Sequence, residues 1–120
     1  MITGLAGVLL WTEENRFPAL AAFYTELLGL TPRSTRDDFI NFDFGDVRLS
    51  IGVHSQVQGP AIDPLRVMVN LVATDLDAMH MRLNDAGVPN LRPPELESWG
   101  GRVATYQDPD GNVIQLFEMP

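Results

Sequence analysis

His54 and His80 are the only imidazoles in this 120-residue chain, and there is no cysteine. That inventory excludes thiolate nucleophiles, disulfides and cysteine-based metal sites. No Gly-x-Ser-x-Gly elbow and no phosphate-cradling glycine loop is present. Asp108-x-Asp110-x-Asn112 opens like a calcium loop, but its sixth position is Val113 instead of glycine and its twelfth is Met119 instead of glutamate. The stretch reads instead as turn chemistry, with Pro109 at the first corner and Gly111 free to take a positive φ. The adjacent Glu13 and Glu14 read as negative charge near a helix N-terminus. His80 lies on a helix stripe and reads as a packing residue, whereas His54 ends the polar face of a strand and is placed to line a cleft mouth.

The bulk numbers narrow the classes. At 120 residues and 45% hydrophobic content, one domain with one core is expected. A net charge of −8 with only eight scattered basic residues argues against a nucleic-acid partner. The apolar run Leu5 to Trp11 is too short to cross a bilayer, and no basic residue precedes it. A cytoplasmic protein without a membrane partner or signal peptide is the expectation.

The elements that must hold these residues come in two matching sets. Ile2 to Thr12 reads as a strand buried on both faces, and Pro18 sits in the first turn of a helix. That helix has a stripe of Leu20, Phe23, Tyr24, Leu27 and Leu28, and Gly29 ends it in a left-handed cap. A short strand within 31–38, the alternating run Phe39 to Phe44 and the cleanly alternating Val47 to Val53 follow. After the stretch Ser55 to Pro64 the order repeats. Leu65 to Ala73 is a strand, Thr74 caps a helix with stripe Leu76, Met79, His80 and Leu83, and Gly87 ends it. Leu91 to Glu97 is broken by proline, and strands from Gly101 to Gln107 and Val113 to Phe117 flank the DPDG turn. The turn Gly45-Asp46-Val47 answers Gly111-Asn112-Val113. The predicted fold class is α+β: β-α-β-β-β written twice, with module 1 over 1–56, a linker over 57–63 and module 2 over 64–120.

In this order and spacing, Ala22-Phe23-Tyr24 with Leu28-Gly29-Leu30, Thr74-Asp75-Leu76-Asp77 with Ala86-Gly87-Val88, Trp99-Gly100, and Asp108 to Asn112 before Ile114-Gln115-Leu116 resemble the vicinal oxygen chelate superfamily. This superfamily includes glyoxalase I, extradiol dioxygenases and the fosfomycin- and bleomycin-resistance proteins. The resemblance covers nearly the whole chain. It implies two βαβββ modules, a curved mixed sheet around a cleft with the helices on its outer face, and a homodimer. It also implies four metal-ligand positions. The first-strand histidine falls on Ala6, the first glutamate on Leu49 or Ser50, the second histidine on Met68 and the last glutamate on Gln115. Imidazole and carboxylate donors are what a divalent cation needs there, so a metal-free member without a cofactor is expected.

Strand parity with the resemblance then gives a cleft list. Val8 and Leu10 come from the first strand, with Arg48, Ser50 and His54 from the fourth. Met68, Asn70, Thr105, Gln107, Gln115 and Phe117 come from the second module, and Trp99 is placed to stack on a planar ligand. An apolar lining with a few neutral polar groups and one cation suits a hydrophobic or aromatic small organic molecule. The function expected is metal-independent binding of such a ligand. The alternative is an enzyme: a metal-free isomerase or lyase using Arg48, His54 or Asp43 for proton transfer, or a glyoxalase-like lyase, isomerase or dioxygenase whose metal ligands lie elsewhere than at those four positions.

Overall fold

The computed structural model describes residues 1–120, which divide into two compact units, 1–59 and 60–120. In the first, strands β1 (Gly7–Thr12), β2 (Ser34–Thr35), β3 (Phe39–Phe44) and β4 (Val47–Val53) form one sheet in the order β1-β4-β3-β2. Strands β1 and β4 run parallel and the other pairs antiparallel. In the second, β5 (Met68–Val72), β6 (Asn90–Leu96), β7 (Arg102–Gln107) and β8 (Val113–Glu118) form a sheet in the order β5-β8-β7-β6, with the same pattern of directions. Each unit therefore has one topology, β-α-β-β-β, and the α+β two-module reading of the sequence is correct.

Burial of one helix stripe closes each sheet on one side. Helix α1 (Phe17–Ala22) packs on β4 and continues as a π turn over Phe23–Leu27. The Leu28 N–H donates to the Phe23 carbonyl at 3.0 Å, five residues back, so the helix carries one residue more than an α-helical count allows. Leu20, Phe23, Tyr24 and Leu28 are buried against Ile40, Phe42, Leu49 and Ile51, while Leu27 is half-buried. Gly29 follows at φ +72°, the left-handed cap its position requires.

In the second unit, α2 (Leu76–Asp85) buries Leu76 and Leu83 against the sheet face of Val69, Ala104, Tyr106, Ile114 and Leu116. The N-cap is Asp75, whose carboxylate accepts from the Ala78 N–H at 3.0 Å, and not the Thr74 expected from sequence. The β5 strand begins at Met68, because Pro64–Arg66 forms a short 3-10 turn where Leu65 had read as strand. Pro93 and Pro94 do not break β6. They lie on an edge strand whose pairing with β7 slips twice, and an edge tolerates residues without an N–H.

The turn correspondence needs one correction. Phe44 pairs with Val47 across the two-residue Gly45-Asp46 turn, whereas Gln107 pairs with Val113 across five residues. Val47 shares its face with Leu49, toward α1, but Val113 shares its face with Gln115, away from α2. The two turns are out of step by one residue, and one residue flips a strand's face.

Candidate functional site

With one side of each sheet covered by its helix, the other side is where polar side chains gather. In the first unit the register arranges that open face as three rungs. Gly7, Arg48 and Asp43 lie side by side, as do Leu9, Ser50, Asn41 and Ser34, and then Trp11, Gly52 and Phe39. The first rung is charged. The Arg48 Nε meets Asp43 Oδ1 at 3.0 Å, and the Arg33 Nε lies 3.5 Å from Asp43 Oδ2. The middle rung is a chain of neutral hydrogen bonds. Ser50 Oγ donates to Asn41 Oδ1 at 2.6 Å, and Asn41 Nδ2 donates to Ser34 Oγ at 2.9 Å.

The last rung is aromatic. A Cβ on Gly52 would lie 2.5 Å from the Phe39 ring and 2.8 Å from the Trp11 ring, so only glycine lets both rings close over the strand. His54 continues this rung, its ring edge-on to Trp11 at 5.2 Å. Its Nδ1 accepts from the Gln56 N–H at 3.1 Å, which leaves Nε2 to carry the proton of the neutral ring. A depression of about 750 Å³ opens over the charged rung, bordered by Ala6, Leu9, Arg33, Asp43, Arg48 and Ser50. A second, of about 810 Å³, lies beside His54, Glu13 and Glu14.

The second unit repeats the scheme with different side chains. Met68, Val113 and Gln107 form one rung, and Asn70, Gln115, Thr105 and Arg92 the next. Val72, Phe117, Val103 and Glu95 form the third. Gln115 Nε2 donates to Thr105 Oγ1 at 3.2 Å, and Gln107 Nε2 to the Gly111 carbonyl at 3.1 Å. Arg92 is held by Glu97 at 2.6 Å and Glu95 at 3.1 Å, hydrogen bonds that raise its pKa. Trp99 stacks on Phe117 with centroids 6.0 Å apart and lies over Gly101, where a Cβ would overlap its ring. Half of its surface is exposed, so packing on the sheet is what the ring does in this structure.

The register thus brings together Met68, Asn70, Gln115, Thr105, Gln107 and Phe117 on one face, and Arg48, Ser50 and His54 on another. It does not bring Val8 and Leu10 to the latter. Val8 borders the depression, but the register partners of Val8 and Leu10 are Leu49 and Ile51, so both belong to the face that α1 covers. The residues of β1 on the open face are Gly7, Leu9 and Trp11. A strand apolar on both sides gives no parity signal, and this is why sequence reasoning chose the wrong set. It also missed Phe39, Asn41 and Arg33. The alternation of β3 against β4 carried the signal for the first two, and nothing periodic marked Arg33. His80 is the packing residue expected, with Nδ1 2.6 Å from the Tyr106 hydroxyl and Nε2 3.0 Å from Asn84 Nδ2.

The resemblance assigns four positions to a divalent cation, and the residues there do not fit one. Ala6 has no donor. Leu49 faces α1, so Ser50 is the residue at the second position on the open face. Met68 and Gln115 offer a thioether and a neutral amide where imidazole and carboxylate are needed. Nowhere in the chain do three His, Asp or Glu side chains gather in a way that could hold a metal ion.

Paired four-stranded sheets, each parallel at one edge and backed by one helix, define a class built by duplicating a βαβββ module. The chain belongs to the Glyoxalase/Bleomycin resistance protein/Dioxygenase superfamily, whose family model matches residues 14–116. A bleomycin resistance protein of Klebsiella pneumoniae is 30% identical over 112 residues, covering 85% of this chain and 83% of that protein. Among solved structures, a glyoxalase-related enzyme from Fulvimarina pelagi superposes with a TM-score of 0.77 at 21% identity, over 99% of this chain and 90% of that one. A lactoylglutathione lyase from Agrobacterium tumefaciens does so with a TM-score of 0.71 at 17% identity, over 98% and 95%. At such identities the two structures speak for the fold alone. No helix is long and apolar enough to cross a membrane.

Proposed function

We propose that the chain is a metal-independent binding protein that holds a hydrophobic or aromatic organic molecule on the open faces of its sheets. One observation carries this reading. The rungs on the faces away from the helices carry neutral hydrogen-bonding pairs, Asn41–Ser50 and Thr105–Gln115, with Ser50 and Thr105 buried and apolar side chains exposed beside them. Leu9, Trp11, Met68 and Trp99 are each between 39% and 46% exposed, a large apolar surface for side chains that face away from the helices. Such a surface gains from covering by an apolar ligand, and the amides and hydroxyls fix its orientation.

A catalytic role has less support. Proton transfer wants a titratable group beside the reacting atoms, and the middle rungs carry none apart from Arg92, which two glutamates engage. The resistance protein of Klebsiella pneumoniae is consistent with a binding role. The reading includes a homodimer, which would cover further apolar surface and which light scattering would detect.

A thermal-shift screen of aromatic and apolar compounds, run with and without a chelator, tests the proposal. Hits whose stabilisation is unchanged by the chelator are expected, since a ligand that binds only the folded state raises the melting temperature. Hits that vanish on chelation, or turnover of a hit compound, would contradict it.

A further inference from the structure

The charged rung of the first unit does more than balance charge. Asp43 accepts a hydrogen bond from the Arg48 Nε at 3.0 Å and forms a looser ion pair with the Arg33 Nε at 3.5 Å, and no other side-chain contact engages either guanidinium. The terminal amino groups of both arginines are left to donate beside the 750 Å³ depression. A carboxylate that meets two guanidinium groups at Nε leaves their outer edges unused, and those edges are the planar pairs of donors that match a carboxylate.

We infer that Arg33 and Arg48 bind the carboxylate of an aromatic acid whose ring lies toward Trp11 and Phe39. This rests on the binding role proposed above and names the class of ligand. Three observations fix the class. The lining holds Arg33 and Arg48 against Asp43 and the exposed turn residue Asp46, so its formal charge is zero. A neutral lining accepts a monoanion more readily than a dianion such as a phosphate monoester. The neutral rung of Ser50 and Asn41 lies next along the strands and can meet a polar linker. The aromatic rung lies four residues from the charged one, from Arg48 to Gly52 or Asp43 to Phe39, or roughly 13 Å at the usual rise per strand residue. An extended acid with the ring at the far end matches that order of surfaces.

Phenylhexanoate, phenylhexanol and phenylhexylamine share a ring and a chain length and differ in charge, so calorimetric titration of the three tests the inference. The acid is expected to bind most tightly. Arg48→Met and Arg33→Met should each raise its Kd by about tenfold or more, the usual effect of losing one charge-assisted hydrogen bond. Asp43→Asn should keep acid binding, because the amide oxygen can still accept from the Arg48 Nε and the lining loses one negative charge; circular dichroism of each variant checks that it is folded. An amine that binds as tightly as the acid, or an unchanged Kd in folded Arg48→Met, would overturn the assignment. Equal binding of acid and alcohol, lost together in Trp11→Ala, would also overturn it while leaving an apolar binding face in place. Failure of all three probes would overturn it too, and the broader ligand screen would then decide the binding role by itself.

Discussion

At the scale of single residues, two glycines let two tryptophans reach the open faces. Trp11 closes over Gly52 beside Phe39, and Trp99 closes over Gly101 beside Phe117. Gly52→Ala should cost about 1–3 kcal/mol, as overpacking does, and should change tryptophan fluorescence, because a ring must move to admit the methyl. Denaturant melts with fluorescence detection check both. The buried Asp108 carboxylate accepts from the Asp110 and Asn112 N–H groups and from Asn112 Nδ2, at 2.9–3.0 Å. Asp108→Ala strands those donors and should cost on the order of 1–3 kcal/mol. Tyr106 is fully buried, and burial pushes its phenol from 10.0 up to about 12. The folded protein therefore keeps this proton at pH values where the unfolded chain has lost it. Stability should be indifferent to Tyr106 below about pH 10 and fall as pH rises toward 12. Tyr106→Phe should remove that part of the alkaline loss in pH-dependent melts.

At the scale of elements, α2 is fastened to its sheet by a small polar cluster. The Leu76 N–H at the start of the helix donates to Glu118 Oε2 at 2.8 Å, and Arg102 pairs with Asp77 at 2.8 Å and with Glu118 at 3.4 Å. The hydrogen bond from Arg102 holds the Asp77 carboxyl below its ordinary value. A depressed carboxylate contributes stability above its unfolded pKa and loses it as pH falls through the folded one. Arg102→Met should therefore be less stable than the parent at neutral pH, with the difference shrinking through the acid range. Asp75→Ala, which removes the N-cap, should cost about 1 kcal/mol in thermal or urea melts at neutral pH.

The same elements show where the sequence was legible. Strand β4 was readable because it sets Val47, Leu49, Ile51 and Val53 against Arg48, Ser50 and Gly52, whereas β7 and β8 mix apolar and polar side chains on both faces, and Thr105 and Gln115 were assigned by the resemblance. The β1 strand is apolar throughout, and its face is chosen by pairing with β4, which no local pattern encodes. The π turn at Phe23–Leu27, the slipped pairing around Pro93 and Pro94 and the role of Arg33 likewise depend on tertiary partners.

At the scale of the whole molecule, duplication produced two sheets of one design and two different open faces. The first unit carries charge, amide and aromatic rungs in sequence, and the second carries a thioether, amides and a stacked Trp99–Phe117 pair. Of the positions that the resemblance assigns to a cation, Ser50 and Gln115 instead hydrogen-bond to the neutral Asn41 and Thr105. Native mass spectrometry of the purified protein, incubated with equimolar manganese, nickel and zinc and then with a stabilising ligand from the screen, tests this account most directly. It predicts one ligand mass per site on a protein that holds no stoichiometric ion. One divalent ion per chain, needed for the ligand to bind, would contradict it.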